Sequence, residues 1–233
     1  MNSLMLLAAA TAAAVSPAPA AEGPRVLNFG QVSTGQPTSF DLATKSAAVV
    51  GYRSARFGMT QAEVLAAAAR DFPARTKVEE SDSPDRTHLV SITVPSAAPG
   101  PGPATINYVF GATTKRLIAV NVIWLVEGEP APAVRAQMIA AGSELTADLL
   151  GYFWKPLTVA RGVPAGPIAV ILFAGADDKD AGVEVRLDGI QYDFTINGQP
   201  ARSQEPTGPV RLRLSYVANR TNPDIYRIKP GEF

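Results

Sequence analysis

The stretch Arg56-Phe57-Gly58-Met59-Thr60-Gln61-Ala62-Glu63-Val64 specifies a helix start more firmly than any other part of the chain. Thr60 followed three residues later by Glu63 has the spacing of a capping box. The hydroxyl accepts from the N–H of residue 63, and the carboxylate reaches back to the N–H of residue 60. Met59 before the cap and Val64 in the first turn are placed as a hydrophobic staple, and Gly58 lets the incoming backbone turn sharply. Val64, Leu65, Ala68, Ala69 and Phe72 then form one apolar stripe, which predicts a helix that Pro73 stops. This is a packing element rather than a reactive one.

Downstream of that helix the period changes from helical to strand-like. Residues 75–79 suit a short strand, and Ser81-Asp82-Ser83-Pro84-Asp85 suits a turn. His88, Val90, Ile92 and Val94 alternate with Leu89, Ser91 and Thr93, as in a strand with one apolar face. A Pro/Gly-rich loop over 95–103 leads to a second alternating run at Ile106, Tyr108 and Phe110. Residues 117–125 are a continuous apolar strand with Asn121 in its middle. A helix followed by sequential strands predicts an antiparallel meander with the helix against one face.

The second half repeats the order. Pro130-Ala131-Pro132 opens a helix with Val134, Met138, Ala141, Leu145 and Leu149 at helical spacing, closed by Gly151. Strands are expected at 168–174, 183–187 and 210–216. The apolar parity switches across Asp188-Gly189, which a two-residue hairpin turn or a bulge would explain. Short strands are also expected at 26–29 and 225–228, and a turn at Asn197-Gly198. The expected fold is therefore α+β: two consecutive helix-plus-antiparallel-sheet units over 51–128 and 129–233, with a single shared sheet as the alternative. An irregular segment over 21–50 precedes them.

Composition narrows the chemistry. Among 233 residues there are 21 Lys+Arg and 21 Asp+Glu, so no global field draws in nucleic acid, and no nucleic-acid partner is expected. The absence of Cys removes thiolate nucleophiles, disulfides and thiolate metal sites, and the one His leaves no imidazole pair. No cofactor is expected, since there is no Walker loop, no G-x-S-x-G elbow and no G-x-G-x-x-G after a strand. Residues 1–20 read as an export signal, with an apolar run over 4–15 and the small-x-small pair Ala18 and Ala20 before the cleavage point. The mature chain is expected to be periplasmic or secreted, without a membrane span. With no Cys after the apolar run, no lipid anchor is expected either.

Individual residues offer few reactive constellations. His88 opens a strand beside a polar turn, where a half-buried structural imidazole is the expectation. Asp177, Asp178 and Asp180 supply hard oxygens but lack the ligand spacing and distal bidentate carboxylate of a calcium loop. Glu79, Glu80, Asp82 and Asp85 form a second solvated acidic cluster. No catalytic or metal-ligating residue is assigned. Tyr152-Phe153-Trp154 suits core filling, and Tyr52, Arg53, Arg56 and Phe57 form a candidate partner-binding patch at the helix start.

The string Phe57-Gly58-Met59-Thr60-x-x-Glu63-Val64 resembles the G-M-T-x-x-x-V motif of the small outer-membrane-assembly lipoproteins of the SmpA/OmlA type. The doubled layout resembles the β-lactamase-inhibitor-protein architecture. The longer context from Tyr52 to Thr60 is similar to exported α-proteobacterial proteins of uncharacterised function. The resemblance covers about 20 residues, and the chain departs from the lipoproteins in its greater length and missing lipidated Cys. It implies an exported, non-catalytic module that binds an envelope protein through its sheet or loops. The alternatives are a carboxylate-dependent hydrolase, which needs neither His nor Cys, and a periplasmic protein binding a small molecule or Ca²⁺.

Overall fold

The computed structural model describes residues 27–28, 45–76 and 78–227. The export signal lies outside the described residues, as do most of segment 21–44 and the end of the expected 225–228 strand. The capped helix forms where the sequence places it: α1 spans Gln61–Asp71 with Thr60 as its N-cap. Glu63 N–H donates to the Thr60 hydroxyl at 3.4 Å, and Thr60 N–H donates to a Glu63 carboxylate oxygen at 2.8 Å. The start is also sewn to the sheet, because Gly58 N–H donates to the Leu117 carbonyl and Leu117 N–H to that of Met59. At its other end Asp71 accepts from both the hydroxyl and the N–H of Ser54. The second helix, α2, spans Pro132–Leu150, with Pro at its first position and Gly151 as its C-cap.

Eight strands make the framework: β1 Glu79–Asp82, β2 His88–Val94, β3 Ala104–Phe110, β4 Leu117–Val126, β5 Ala160–Gly166, β6 Ala169–Ala176, β7 Gly182–Asp188 and β8 Val210–Val217. They form one antiparallel sheet in the order β5-β6-β7-β8-β4-β3-β2-β1. The expectation of two helix-plus-sheet units is corrected by this sheet, and so is the α+β label. The protein is mainly β, with two helices of 11 and 19 residues among the described residues. The reason lies in the pairing of β4 with β8, which runs unbroken from Val210 opposite Val126 to Val217 opposite Ala119. Both strands are apolar on one face along their whole length, so leaving either as an edge would expose a long, sticky ladder. The actual edges are blunted: β1 carries Glu-Glu-Ser-Asp, and β5 carries Gly162, Pro164 and Gly166.

Register sorts the side chains into two faces. Val90, Tyr108, Val120, Tyr216 and Val183 lie in one row, and Ile92, Ile106, Val122, Leu214 and Val185 in the next. Trp124, Leu212, Leu187 and Val170 make a third. These rows, with Val64, Ala67 and Ala68 of α1 and Met138 and Ala141 of α2, form one continuous core. Gly142 lets α2 approach closely, since a Cβ there would sit 2.5 Å from a methyl of Leu172. Trp124 donates from its indole nitrogen to the Ala97 carbonyl at 2.8 Å, and the loop over 95–103 closes over its ring.

The parity switch at Asp188-Gly189 is neither the hairpin nor the bulge expected. There β7 ends and the chain leaves the sheet, so that Tyr192–Ile196 and Gln199–Arg202 form a separate hairpin joined in parallel by Leu27–Asn28. The chain turns at Asn197-Gly198 as expected, both with positive φ. Residues 225–227 form no strand. Instead the carboxylate of Asp224 accepts from the N–H groups of Thr113 and Thr114 and from the Thr114 hydroxyl, tying the tail to the β3–β4 turn.

Candidate functional site

Both helices pack on one face of the sheet; among the described residues the other face keeps its larger side chains part-exposed. Its central row runs Ser91, Asn107, Asn121, Ser215 and Glu184 across β2, β3, β4, β8 and β7. The Ser91 hydroxyl donates to the Asn107 side-chain carbonyl at 2.8 Å, and the Ser215 hydroxyl donates to that of Asn121 at 2.7 Å. Each Asn carbonyl is thereby occupied, and each amide N–H₂ is left as a donor. The adjoining row holds Thr93, Thr105, Ile123, Arg213, Arg186 and Ile171, and a third holds Leu125, Arg211 and Asp188.

The charges on this face are held in place. Asp188 accepts from Arg186 at 2.9 Å and from Arg211 at 3.0 Å, and Glu184 accepts from Arg213 at 2.7 Å. Burial alone would raise the Asp188 carboxyl, but the hydrogen bonds and charges of Arg186 and Arg211 outweigh it and hold the group below the ordinary carboxylate value. Around Gly182 the surface sinks into a depression of about 260 Å³, lined by Asn121, Ala174, Glu184, Arg213, Ser215 and Arg220 among others. Small residues on neighbouring strands, Ala174 and Gly182, create the hollow. The Arg213 Nε–H is buried there without an acceptor.

A second cleft, of about 360 Å³, lies where α2 begins, between Pro130, Pro132 and Ile139 on one side and Ile190 and Pro206 on the other. Arg135 braces it by donating to the carbonyls of Gly189 and Gly208 and to Glu129. Hydrogen bonds from Gly208 N–H and Arg135 hold the Glu129 carboxyl below its ordinary value, the direction opposite to that of a general acid at neutral pH.

The candidate patch at the helix start lies on the helix-covered side. Tyr52 stacks on Tyr216 with centroids 5.7 Å apart and on Phe72 at 6.4 Å, while Phe57 packs against the core. The Arg53 guanidinium sits 4.7 Å from the Phe72 ring centre, and Arg56 donates to the Arg53 carbonyl. Two of the four residues thus serve the core, and the two arginines flank them. His88 is part-buried between two carboxylates of the edge strand, Asp82 at 2.8 Å and Glu80 at 3.2 Å. Asp177 is buried and accepts from the N–H groups of Val49, Lys179 and Ala181, while Asp180 pairs with Lys155 at 2.6 Å. Among the described residues no three His, Asp or Glu side chains converge as a metal site. Trp154 fills the core against Phe173 and donates to the Leu149 carbonyl, whereas Tyr152 and Phe153 remain exposed.

The open-face residues were within reach of the sequence only one strand at a time. Asn121 interrupting an apolar run, and Arg211, Arg213 and Ser215 alternating with leucines, marked solvent-facing positions. Nothing local marked that they share a surface. The chain matches no family model, no curated protein and no solved structure. No helix among the described residues is long and apolar enough to cross a membrane.

Proposed function

We propose that this chain is an exported, non-catalytic module that docks an envelope protein on the open face of its sheet. The observation that carries the reading is a broad face, uncovered among the described residues, whose polar groups are already fixed by cross-strand hydrogen bonds. Eight strands at about 4.8 Å and strands of seven residues at about 3.4 Å per residue give roughly 34 Å by 24 Å. That matches the roughly 800 Å² which each partner contributes to an interface of standard size. Fixed side chains lose little entropy on docking, so more of the contact energy remains as affinity.

The hydrolase alternative needs two carboxyls converging on one cleft. The depression at Gly182 holds Glu184 alone, already bound to Arg213. The cleft at the start of α2 is lined by Glu129 and Glu205, of which Glu129 is tied to Arg135 and the Gly208 N–H and held below its ordinary carboxyl value, the wrong direction for a general acid. The resemblance of residues 57–64 to the assembly lipoproteins points the same way as the geometry. The test is capture from envelope extract by the chain from Ala21 onward, set beside Thr105→Arg/Leu125→Glu on the open face and Glu144→Arg on the exposed side of α2. A companion protein retained by the wild type and the α2 variant but lost by the open-face variant is expected. Equal retention by all three overturns the reading.

A further inference from the structure

The depression at Gly182 carries more chemistry than a flat docking face requires. Arg213 uses one terminal nitrogen on Glu184, while its Nε–H is buried with no acceptor. Its other terminal nitrogen, Nη1, has no partner among the described residues, and the side chain lines the depression. Arg220, which also lines the depression, is exposed and is held by its backbone: its N–H donates to the Asp180 carbonyl, and its stem lies over Gly182. A Cβ at residue 182 would come 2.2 Å from Arg220 Cδ, so glycine is what admits the side chain to this position. The turn beyond it is locked by Asn219, whose side-chain carbonyl accepts from Thr221 N–H, the Thr221 hydroxyl and Asn222 N–H. On the floor, Asn121 spends its carbonyl on Ser215 and leaves its amide N–H₂ as a further donor.

Arg213, Arg220 and the Asn121 amide line one small hollow, a donor set that suits an oxyanion. The charges lining it are two arginines and one glutamate, a surplus of one positive charge, which suits a monoanion better than a phosphate dianion. Resting on the docking reading above, we propose that the depression is a subsite for the carboxylate of an Asp or Glu side chain on the docked protein. A side chain is favoured over a chain terminus because the surrounding face is broad and open and suits a folded surface.

The test is NMR titration of the ¹⁵N-labelled chain with sodium acetate, with chloride and phosphate arms at equal ionic strength. Saturable shifts of the Asn121 amide and the Arg213 and Arg220 Nε–H signals in acetate alone are expected, and Arg220→Gln should abolish them. Arg213→Lys, which keeps the charge but loses the planar fork, should weaken them. Shifts of equal size in chloride, or larger ones in phosphate, overturn the assignment. For a captured partner, Arg220→Gln should weaken binding about tenfold or more. A partner held on the open face with affinity unchanged by Arg220→Gln overturns the subsite and leaves docking standing. Acetate binding with no partner captured by that face supports the receptor chemistry and overturns the docking reading.

Discussion

The two faces of the sheet share eight strands and one register, yet they differ in what they do with polar groups. On the helix-covered face Trp124 is fully buried and its one polar atom is satisfied by Ala97, while Tyr108 keeps a buried hydroxyl without a partner. Burial raises the Tyr108 phenol and pushes that of Tyr216 up to about 12, so both stay neutral at any physiological pH. On the open face Ser–Asn pairs and Arg–carboxylate pairs bridge neighbouring strands, and the donors left over are the Asn amides and part of Arg213. One face derives stability from area removed from water; the other derives fixed geometry from hydrogen bonds worth about 1 kcal/mol each. Stability and recognition are therefore expected to separate by face.

The sharpest way to break that separation is to compare neighbours on β4. Trp124→Ala empties a buried site and orphans the Ala97 carbonyl, and should cost about 3–5 kcal/mol. Ile123→Ala, one residue earlier on the other face and part-exposed, should cost about 1 kcal/mol. Urea denaturation of both variants reads the difference; equal losses would mean that the open face is covered in solution.

Legibility from sequence followed locality. The start of α1 was readable because Thr60 and Glu63 make their bonds within one turn, and α2 because Pro132 and Gly151 act on their own backbone. Strand positions were readable from alternation. The single sheet was not, because the β4–β8 pairing joins residues such as Asn121 and Ser215, 94 positions apart, and neither strand says locally what it will pair with. The same limit hid the site: Asn107, Asn121, Ser215 and Glu184 each looked like an ordinary solvent-facing residue, and only register brings them into a row. The fate of Asp188-Gly189 was hidden for a related reason. A change of parity shows that the chain leaves one face, not that it leaves the sheet.

Acid offers a second, smaller test of the open face. The folded Asp188 carboxyl sits below its ordinary value of 3.8, so its contribution is complete above that value and is lost as pH falls through the folded value. At neutral pH Asp188→Asn should lower stability by about 1 kcal/mol, discounted for its partial exposure to solvent. The gap from wild type should close as pH drops below about 4. Asp224, held at about 2 by the Thr114 hydroxyl and the Thr114 and Thr113 amides, loses its contribution as pH falls from its ordinary value of 3.8 through about 2. Melting temperatures of the wild type, Asp188→Asn and Asp224→Asn between pH 2 and 7 give the comparison. A gap for Asp188→Asn that stays constant down to pH 2 would show that the Arg186–Asp188–Arg211 group does not stabilise the fold through charge. Thr60→Ala, by contrast, removes a cap on the helix side and should cost about 1 kcal/mol.

The smallest effect on folding should accompany a clear effect on recognition. Leu125 lies on the open face beside Arg211 and is 44% exposed, so truncating it removes little buried area. Leu125→Ala is expected to change stability by less than about 0.5 kcal/mol. In a docked complex the same side chain would be covered, and its loss should then weaken the partner by several-fold, since only its exposed part remains to be buried, roughly half of the 1.5–3 kcal/mol of a fully buried aliphatic side chain. Stability by denaturation and affinity by titration, measured on the same preparation, decide the point. If both stay at wild-type values the partner's contact lies off this corner of the sheet, whereas a stability loss as large as that of Trp124→Ala would mean that the two faces do not divide the work as their residues indicate.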